Sequence, residues 1–425
     1  LAEVEARLST AITLAPRHHG AHDMLADLYR NRLIAAEAMG DEADGQRWET
    51  LLRAHDNGRH LRWLGAGGRL TLYTDPPGAD VILYREVDRQ RRLVPVRVHS
   101  LGRTPLDGVE IPRGGVQLVV ELEGHHPARL PLRVRRDEHV DFVPPREDRP
   151  AVLRLLPEGS LGRDEVYVPA GWCVVGGDEL AMDALPATRV WIDGFVMTRF
   201  HISVGEYLAY LNDLAARGRW KDVAAAGPRS TSSSGQVPLW KRTDDGRVVF
   251  DADGQLNVRL DLLDLPIAQV SWLQATAYAA WRAERDGLPW RLPHDLEWEK
   301  AARGPQGRLW PWGSRYVPGR ACTGDSHEGV PLPCRVDDFP GDVSVYGMRH
   351  AAGCMRSFCS NTYRRVPVKD GDRVDIVDAA PETPYRMARG GNFMSQTLNA
   401  RLAARFAGEE DRMYATVGIR LARSV

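Results

Sequence analysis

The 425 residues are too many for a single ordinary hydrophobic core and imply two or three domains. With 56 basic against 57 acidic side chains, the chain has no field that would draw it to nucleic acid or an anionic membrane, and no apolar run reaches the roughly 18 residues of a span. Five cysteines, few and odd in number, fit a reduced cytoplasmic protein rather than a disulfide framework, and a start at Leu1 without a leader-like segment is what a fragment or processed product would show.

Residues 1–64 place apolar side chains at helical spacing, at Leu1, Val4, Leu8 and Ile12 and again at Leu25, Leu28, Leu33 and Ala36. Pro16 and Gly20 break the first run, and Gly40 and Gly45 are expected to separate later helices. The stretch from Ala15 to Tyr29 resembles part of a tetratricopeptide-type repeat. One or two such repeats bury no face alone, so these helices are expected to pack on a neighbouring element or a partner. Composition changes near Gly65. Residues 68–145 show short alternating runs, among them Leu70–Thr74, Val81–Tyr84, Val94–Val98, Val116–Leu122 and Leu130–Val134, with turns at Asp75–Gly78 and Arg113–Gly115. This predicts a small all-β sandwich. Asp75-Pro-Pro-Gly-Ala-Asp-Val81, Gly102-Arg-Thr-Pro-Leu106 and Glu123-Gly-His-His126 resemble, in order, the bacterial PEGA module, which implies a structural or binding unit. Residues 146–163, rich in Pro, Arg and Asp, read as a linker.

Residues 164–425 hold the most specific sequence in the chain, Arg291-Leu-Pro-His-Asp-Leu-Glu-Trp-Glu-Lys-Ala-Ala-Arg-Gly304 followed by Leu309-Trp-Pro-Trp-Gly313. Around it stand Val166–Gly171, Ala187–Phe195, Ile202–Tyr207, Val270–Tyr278 with Trp281, Ser344-Val-Tyr-Gly-Met348, Arg389-Gly-Gly-Asn-Phe393 and Val417-Gly-Ile-Arg420. Together, and in this order, these segments resemble the formylglycine-generating enzyme family, also called the sulfatase-modifying-factor family. The resemblance implies an irregular α+β fold related to C-type lectin domains, so the whole chain is expected to be multidomain α+β. The residues agree: Ala275–Arg285 reads as a helix with Tyr278 and Trp281 on one side, and Pro293 fits a first helical position. Glu297 and Glu299 fall in the early turns, with Lys300 and Arg303 near the end, an order that suits the helix macrodipole. The 12 tryptophans are expected to be core.

Active members of that family use two cysteines in a C-x-x-x-x-C segment before A-A-R, one binding copper and the other exchanging a disulfide with the substrate; both tasks need thiolate. Counting back from Ala403-Ala-Arg405 puts Leu402 and Thr397 at those positions. Neither supplies a soft ligand or a thiol, so the resemblance implies that the oxidase chemistry is lost. Cys354 and Cys359 share the five-residue offset but lie in another segment, and they read as buried free thiols with a redox or metal role as the alternative. The frame Gly347–Thr362, where the family reads G-M-x-x-x-x-G-N-V-W-E-W-x-x-D-W and supports a calcium ion, has Cys354 for Asn, Arg356 for Trp, Ser357 for Glu and Thr362 for the last Trp. That removes side-chain oxygens and leaves at most a calcium held by backbone carbonyls. His18 and His22 share a spacing with related iron-dependent sulfoxide synthases, but Met24 replaces the acid and Gly20 intervenes, so no metal site is expected there. His125 and His126 are expected at a surface turn.

The sequence therefore reads as a non-catalytic bacterial interaction or regulatory protein, cytoplasmic, with no cofactor, no metal and no catalytic residue. Its candidate binding groove is Arg356, Phe358, Asn361, Thr397, Asn399, Arg401 and Arg405, a cationic set suited to anions or peptide carboxylates. The expected partner is a protein of a signalling or defence system, such as a kinase or a protease, and neither nucleic acid nor membrane. The alternative is an enzyme of the formylglycine-generating and sulfoxide-synthase superfamily whose active groups have moved. Residues 227–235 and 369–372 are plausible docking or cleavage loops.

Overall fold

A computed structural model describes residues 2–39, 42–232, 235–250, 262–364, 369–370, 373–374 and 383–425; parts of the two loops just named, 233–234 and 371–372, lie outside the described residues. Four helices open the chain: α1 (Ala2–Leu14), α2 (His19–Met39), α3 (Glu42–His55) and α4 (Leu61–Gly65). The apolar stripe of α2, with Leu25, Tyr29, Leu33 and Ala36, is buried with Trp48 and Leu52 of α3 and Leu64 of α4. α2 and α3 run antiparallel, since Asn57 and His60 beyond the end of α3 bond Asp23 and Asp27 near the start of α2. Gly45 does not separate helices; it lies inside α3, where burial of Trp48 and Leu52 outweighs the roughly 1 kcal/mol that a helical glycine costs. His22 Nδ1 meets His55 Nδ1 at 3.0 Å rather than a carboxylate.

Leu1–Leu70 joins Gly108–Gly114 and Val134–Val140 in one compact unit, and Thr71–Asp107, Gly115–Arg133 and Asp141–Val425 form the other. In the first unit the neighbour that the helices lack is supplied by two β segments. Arg136 donates to Glu37 at 2.9 Å and to the carbonyls of Trp63 and Leu64 at 2.7 and 2.8 Å, while Arg113 bridges Glu37 and Glu49 at 2.9 and 2.8 Å.

The β-rich region is present. One sheet runs in the order Arg92–Arg103, Asp80–Arg89, Gly114–Glu121, Ala128–Val134, and Val81 and Leu83 bury the face they share with Val116, Leu118 and Val120. The two proline-bearing motifs form one feature. Thr104 Oγ1 accepts from the amides of Gly78 and Ala79 at 3.1 and 3.0 Å and meets the Thr74 hydroxyl at 2.5 Å. His126 Nε2 accepts from the Gly159 amide at 3.1 Å. Residues 146–163 are not a free linker. Val152–Arg154 pairs in parallel with Tyr73–Asp75, and Leu153, Leu155 and Leu156 are buried. Their apolar run outweighs the polar composition around it.

The remaining residues build a mixed α+β domain. The strands Glu165–Val168, Phe195–Thr198 and Ala422–Ser424 form one antiparallel sheet that brings its two ends together. A second sheet orders Arg405–Glu409, Tyr385–Arg389, Arg356–Thr362 and Val417–Gly418. Helices α5 (Val204–Ala216) and α7 (Trp272–Asp286) begin in capping boxes, Ser203 with Glu206 and Ser271 with Gln274; α6 spans Trp220–Ala226. Tyr278 and Trp281 do share a face and pack with Tyr207 and Tyr210, Tyr207 stacked on Tyr278 at 5.4 Å and Tyr210 against Trp281 at 5.2 Å.

Helix α8 (Asp295–Arg303) is the signature segment, and all nine of its residues are buried. Pro293 precedes the cap instead of opening the helix, because His294 is the N-cap: its Nδ1 accepts from Leu296 and its amide donates to Glu297 at 2.8 Å. Lys300 and Arg303 are not surface charges set against the macrodipole. Lys300 Nζ donates to the carbonyls of Pro169, Gly171 and Ile192 at 2.7, 3.1 and 3.0 Å. Glu299 accepts from the Gly176 amide at 2.7 Å and from Arg303 at 2.5 Å, and its other oxygen accepts from Arg389. Arg389 continues to the carbonyls of Ala403 and Ala404 at 3.0 and 2.8 Å. Removing one partner of such a buried set strands a charge at a cost of about 3–5 kcal/mol. Glu299→Gln is therefore expected to lose that much in urea unfolding, and a loss below about 1 kcal/mol, the range of an exposed pair, would contradict the bridge.

Candidate functional site

The Arg389–Arg405 segment is a strand end, a tight turn and a 3-10 turn at Thr397–Ala400. Its two glycines are required by crowding. A Cβ on Gly391 would stand 2.0 Å from the Ala352 carbonyl, and Gly390, at φ +93°, lies against Trp298. Thr397 is half-buried and donates its hydroxyl to Asp325 at 2.8 Å. Leu402 has no exposure at all and belongs to the core around Trp298, Trp310 and Trp312. Asn399 is half-buried on the same turn, beside Met394 and Leu398, which are 59% and 54% exposed.

The groove read from the sequence is only partly assembled. Phe358 is fully buried in the second core, against Tyr414. Asn361 and Arg405 converge on Asp295. Asn361 accepts from the Asp295 amide at 2.9 Å and donates to its carboxylate at 3.1 Å, and Arg405 Nε lies 3.5 Å from the other oxygen. Arg401 donates to Asp178 at 2.7 Å and lies over Trp310. These arginines therefore hold the fold together instead of facing a ligand. The sequence reading missed their acids, Asp178 for Arg401 and Asp183 and Asp295 for Arg405, because no local pattern reports which arginine each carboxylate meets, even for Asp295 inside the signature. Arg356 lies 3.7 Å over the Phe406 ring, with burial pushing its guanidinium down to about 10. Of the seven, Thr397, Asn399 and Arg356 keep partial exposure.

In the Gly347–Thr362 frame, Ser357 closes a buried chain of donors. Its hydroxyl meets His201 Nε2 at 3.0 Å and Trp298 Nε1 at 3.3 Å, and Arg420 reaches His201 Nδ1 at 3.3 Å. Burial, then the Arg420 charge, holds His201 well below the usual imidazole range. Cys354 and Cys359 part company. Cys359 is buried near Asp295 with its thiol pushed far up by burial. Cys354 meets Cys322 and Cys334, all three sulfurs lying within 4.8 Å of one another. No spacing signal marks this trio, and topology creates it: the Cys354 amide donates to the Cys322 carbonyl at 2.7 Å and the Phe393 amide to the Cys354 carbonyl at 3.0 Å. A cleft of about 380 Å³ is lined by Leu72, Leu130, Phe142, Tyr167 and Glu297. Among its polar groups, Tyr167 donates to the Arg154 carbonyl, Glu297 accepts from Arg291 and Asp193 accepts from Trp191.

Residues 156–425 match the sulfatase-modifying factor enzyme 1-like domain. The chain belongs to this family. The match starts before 164 because Leu156 already packs in the core with Val196 and Ile202. Formylglycine-generating enzyme of Bos taurus is 26% identical over 289 residues, 60% of this chain and 74% of that protein. Inactive C-alpha-formylglycine-generating enzyme 2 of Mus musculus is 37% identical over 111 residues, 24% of this chain and 34% of that one. Serine/threonine-protein kinase pkn1 of Chlamydia pneumoniae is 24% identical over 316 residues, covering 72% of this chain and 44% of the kinase. Its relatives thus include enzymes and inactive forms.

Thr397 and Leu402, the two residues that counting back from Ala403 puts at the family's copper positions, do not fit that metal. Leu402 is sealed in apolar core, and the Thr397 hydroxyl is given to Asp325. A calcium ion drawing on the Gly347–Thr362 side chains does not fit either, because the Ser357 hydroxyl is already shared between His201 and Trp298. No described helix is long and apolar enough to cross a membrane.

The His201 arrangement has a pH signature. As pH falls from about 7 to 5 the unfolded chain protonates His201 while the folded chain does not, so stability is lost. His350, held down to about 4 by burial, adds to this; Asp342, pushed up to about 7 by burial, opposes it. His201→Gln is expected to flatten the fall in Tm over that range, and an unchanged slope would place the acid sensitivity elsewhere.

Proposed function

We propose that this chain is a non-catalytic member of its family, a protein-binding platform of a bacterial signalling or defence system that works in the cytoplasm. The observation that carries this reading is Leu402, fully buried at a position where active members need a thiol. Catalysis by relocated groups gains no support from the cysteine trio, since Cys322, Cys334 and Cys354 are 0%, 6% and 0% exposed and no substrate reaches them. The five free thiols suit a reducing compartment. The kinase relative supports a signalling setting, because its match extends over more of this chain than the family domain alone.

The binding rim follows from exposure rather than from charge. Arg401 and Arg405 are paired internally, whereas Leu398, on the turn with Thr397 and Asn399, and Met394, three residues before it, are exposed. Two exposed apolar side chains flanked by small polar ones suit a peptide or protein surface.

The test has two arms. Purified chain given copper and a C-x-P-x-R peptide is expected to leave the peptide cysteine unoxidised; conversion to formylglycine would refute the reading. Partners captured by the chain are expected to be lost, by at least about tenfold in affinity, on Met394→Ser with Leu398→Ser, while the fold persists because both side chains are exposed. Unchanged capture would remove this turn from the interface.

A further inference from the structure

The cysteine trio has the composition and enclosure of a metal centre. Cys322, Cys334 and Cys354 come from three separate loops, yet their sulfurs lie within 4.8 Å of one another. They are packed among Met355 and Phe393, with Ala268 and Phe339 partly buried beside them. None is paired in a disulfide. Three thiols gain little by meeting in an apolar pocket, because a thiol is a weak donor and a weak acceptor.

A fourth donor stands at the edge. His327 Nε2 is 4.0 Å from Cys322 Sγ. Its other nitrogen, Nδ1, is 2.9 Å from the Thr323 carbonyl, an acceptor only, so Nδ1 carries the proton. That bond fixes the tautomer and leaves the Nε2 lone pair facing the sulfur, the arrangement found behind metal-bound histidines. The backbone points the same way. Cys354 sits at φ +67°, a left-handed conformation that costs a residue other than glycine about 1 kcal/mol or more and persists where something over-determines it. Cys354 Sγ and Cys322 Sγ also donate to carbonyls, of Cys334 and Leu332, at 3.3 and 3.4 Å, contacts that thiolate ligands readily give up.

We propose that Cys322, Cys334, Cys354 and His327 bind one zinc ion as a closed, structural Cys₃His centre. Thiolate with imidazole selects a soft or borderline cation over calcium, and four protein donors in a sealed pocket leave no position for substrate. Binding joins the 322–327 loop, the 332–334 loop and the start of the Arg356–Thr362 strand. Ligation displaces a proton from each of the three thiols to solvent and changes no oxidation state. The inference is independent of the binding rim.

The experiment is metal analysis of the full chain, purified from zinc-supplemented cells without chelator, followed by exchange of the bound metal for cobalt(II). We expect about one zinc per chain and, with cobalt, intense thiolate-to-metal charge transfer with tetrahedral d–d bands. Cys334→Ser and Cys354→Ser should reduce zinc to background, Cys359→Ser should retain it, and His327→Ala should speed its loss to a chelator. Folded wild-type chain without zinc and with five titratable thiols would overturn the assignment. So would a disulfide among the three cysteines, copper in place of zinc, or an octahedral cobalt spectrum. The wild-type measurements stand even if a cysteine variant fails to fold.

Discussion

Glu299 is a buried carboxylate that takes hydrogen bonds from a backbone amide, from Arg303 on its own helix and from Arg389 on a distant strand. Both oxygens are satisfied, which is the condition under which a buried charge can be tolerated. Arg389 passes the constraint on to the Ala403 and Ala404 carbonyls. Lys300, one residue along, ties three carbonyls of the first strands to the same helix. A single nine-residue helix therefore holds together the beginning of the domain, the Arg389 strand and the Ala403–Ala404 backbone. The Glu-Trp-Glu-Lys-Ala-Ala-Arg signature is a description of that role: its charged members face inward, and its alanines let the helix lie close to its neighbours.

This separates what the scaffold needs from what catalysis needs. The scaffold needs Glu299, Lys300, Arg303, Arg389, Arg420 and the two glycines after Arg389, and all are in place. Copper chemistry needs two thiolates, and of the two positions assigned to them by counting one holds Leu402, which adds to the core. In the neighbouring frame Ser357 takes donors from His201 and Trp298, and Arg356 stacks on Phe406, so both side chains are turned to internal contacts. Three of the five cysteines have gathered elsewhere, in a sealed pocket close to Thr397, whose hydroxyl bonds Asp325 just beyond Cys322.

Much of the fold was legible. Motif order identified the domain, the period of apolar residues placed α2 and α7, and the alternation of residues 70–134 announced a β-rich region. Counting put Thr397 and Leu402 at the thiol positions, and the structure shows the one bonded to Asp325 and the other sealed in the core. The binding groove could not, because it depended on which arginines meet carboxylates. Asp178 and Asp295 are more than one hundred residues from their partners Arg401 and Arg405, and no local pattern reports such pairings. The same holds for Cys322, Cys334 and Cys354, whose spacings match no ligand signature and which meet only through loop closure. The Val152–Arg154 strand was hidden by the polar residues around it.

Anomalous diffraction from crystals grown with both zinc and copper, recorded at each metal's absorption edge, addresses the central claim in one measurement. The account predicts a zinc peak enclosed by Cys322, Cys334, Cys354 and His327, and no copper between Thr397 and Leu402. A copper peak at that turn would contradict it.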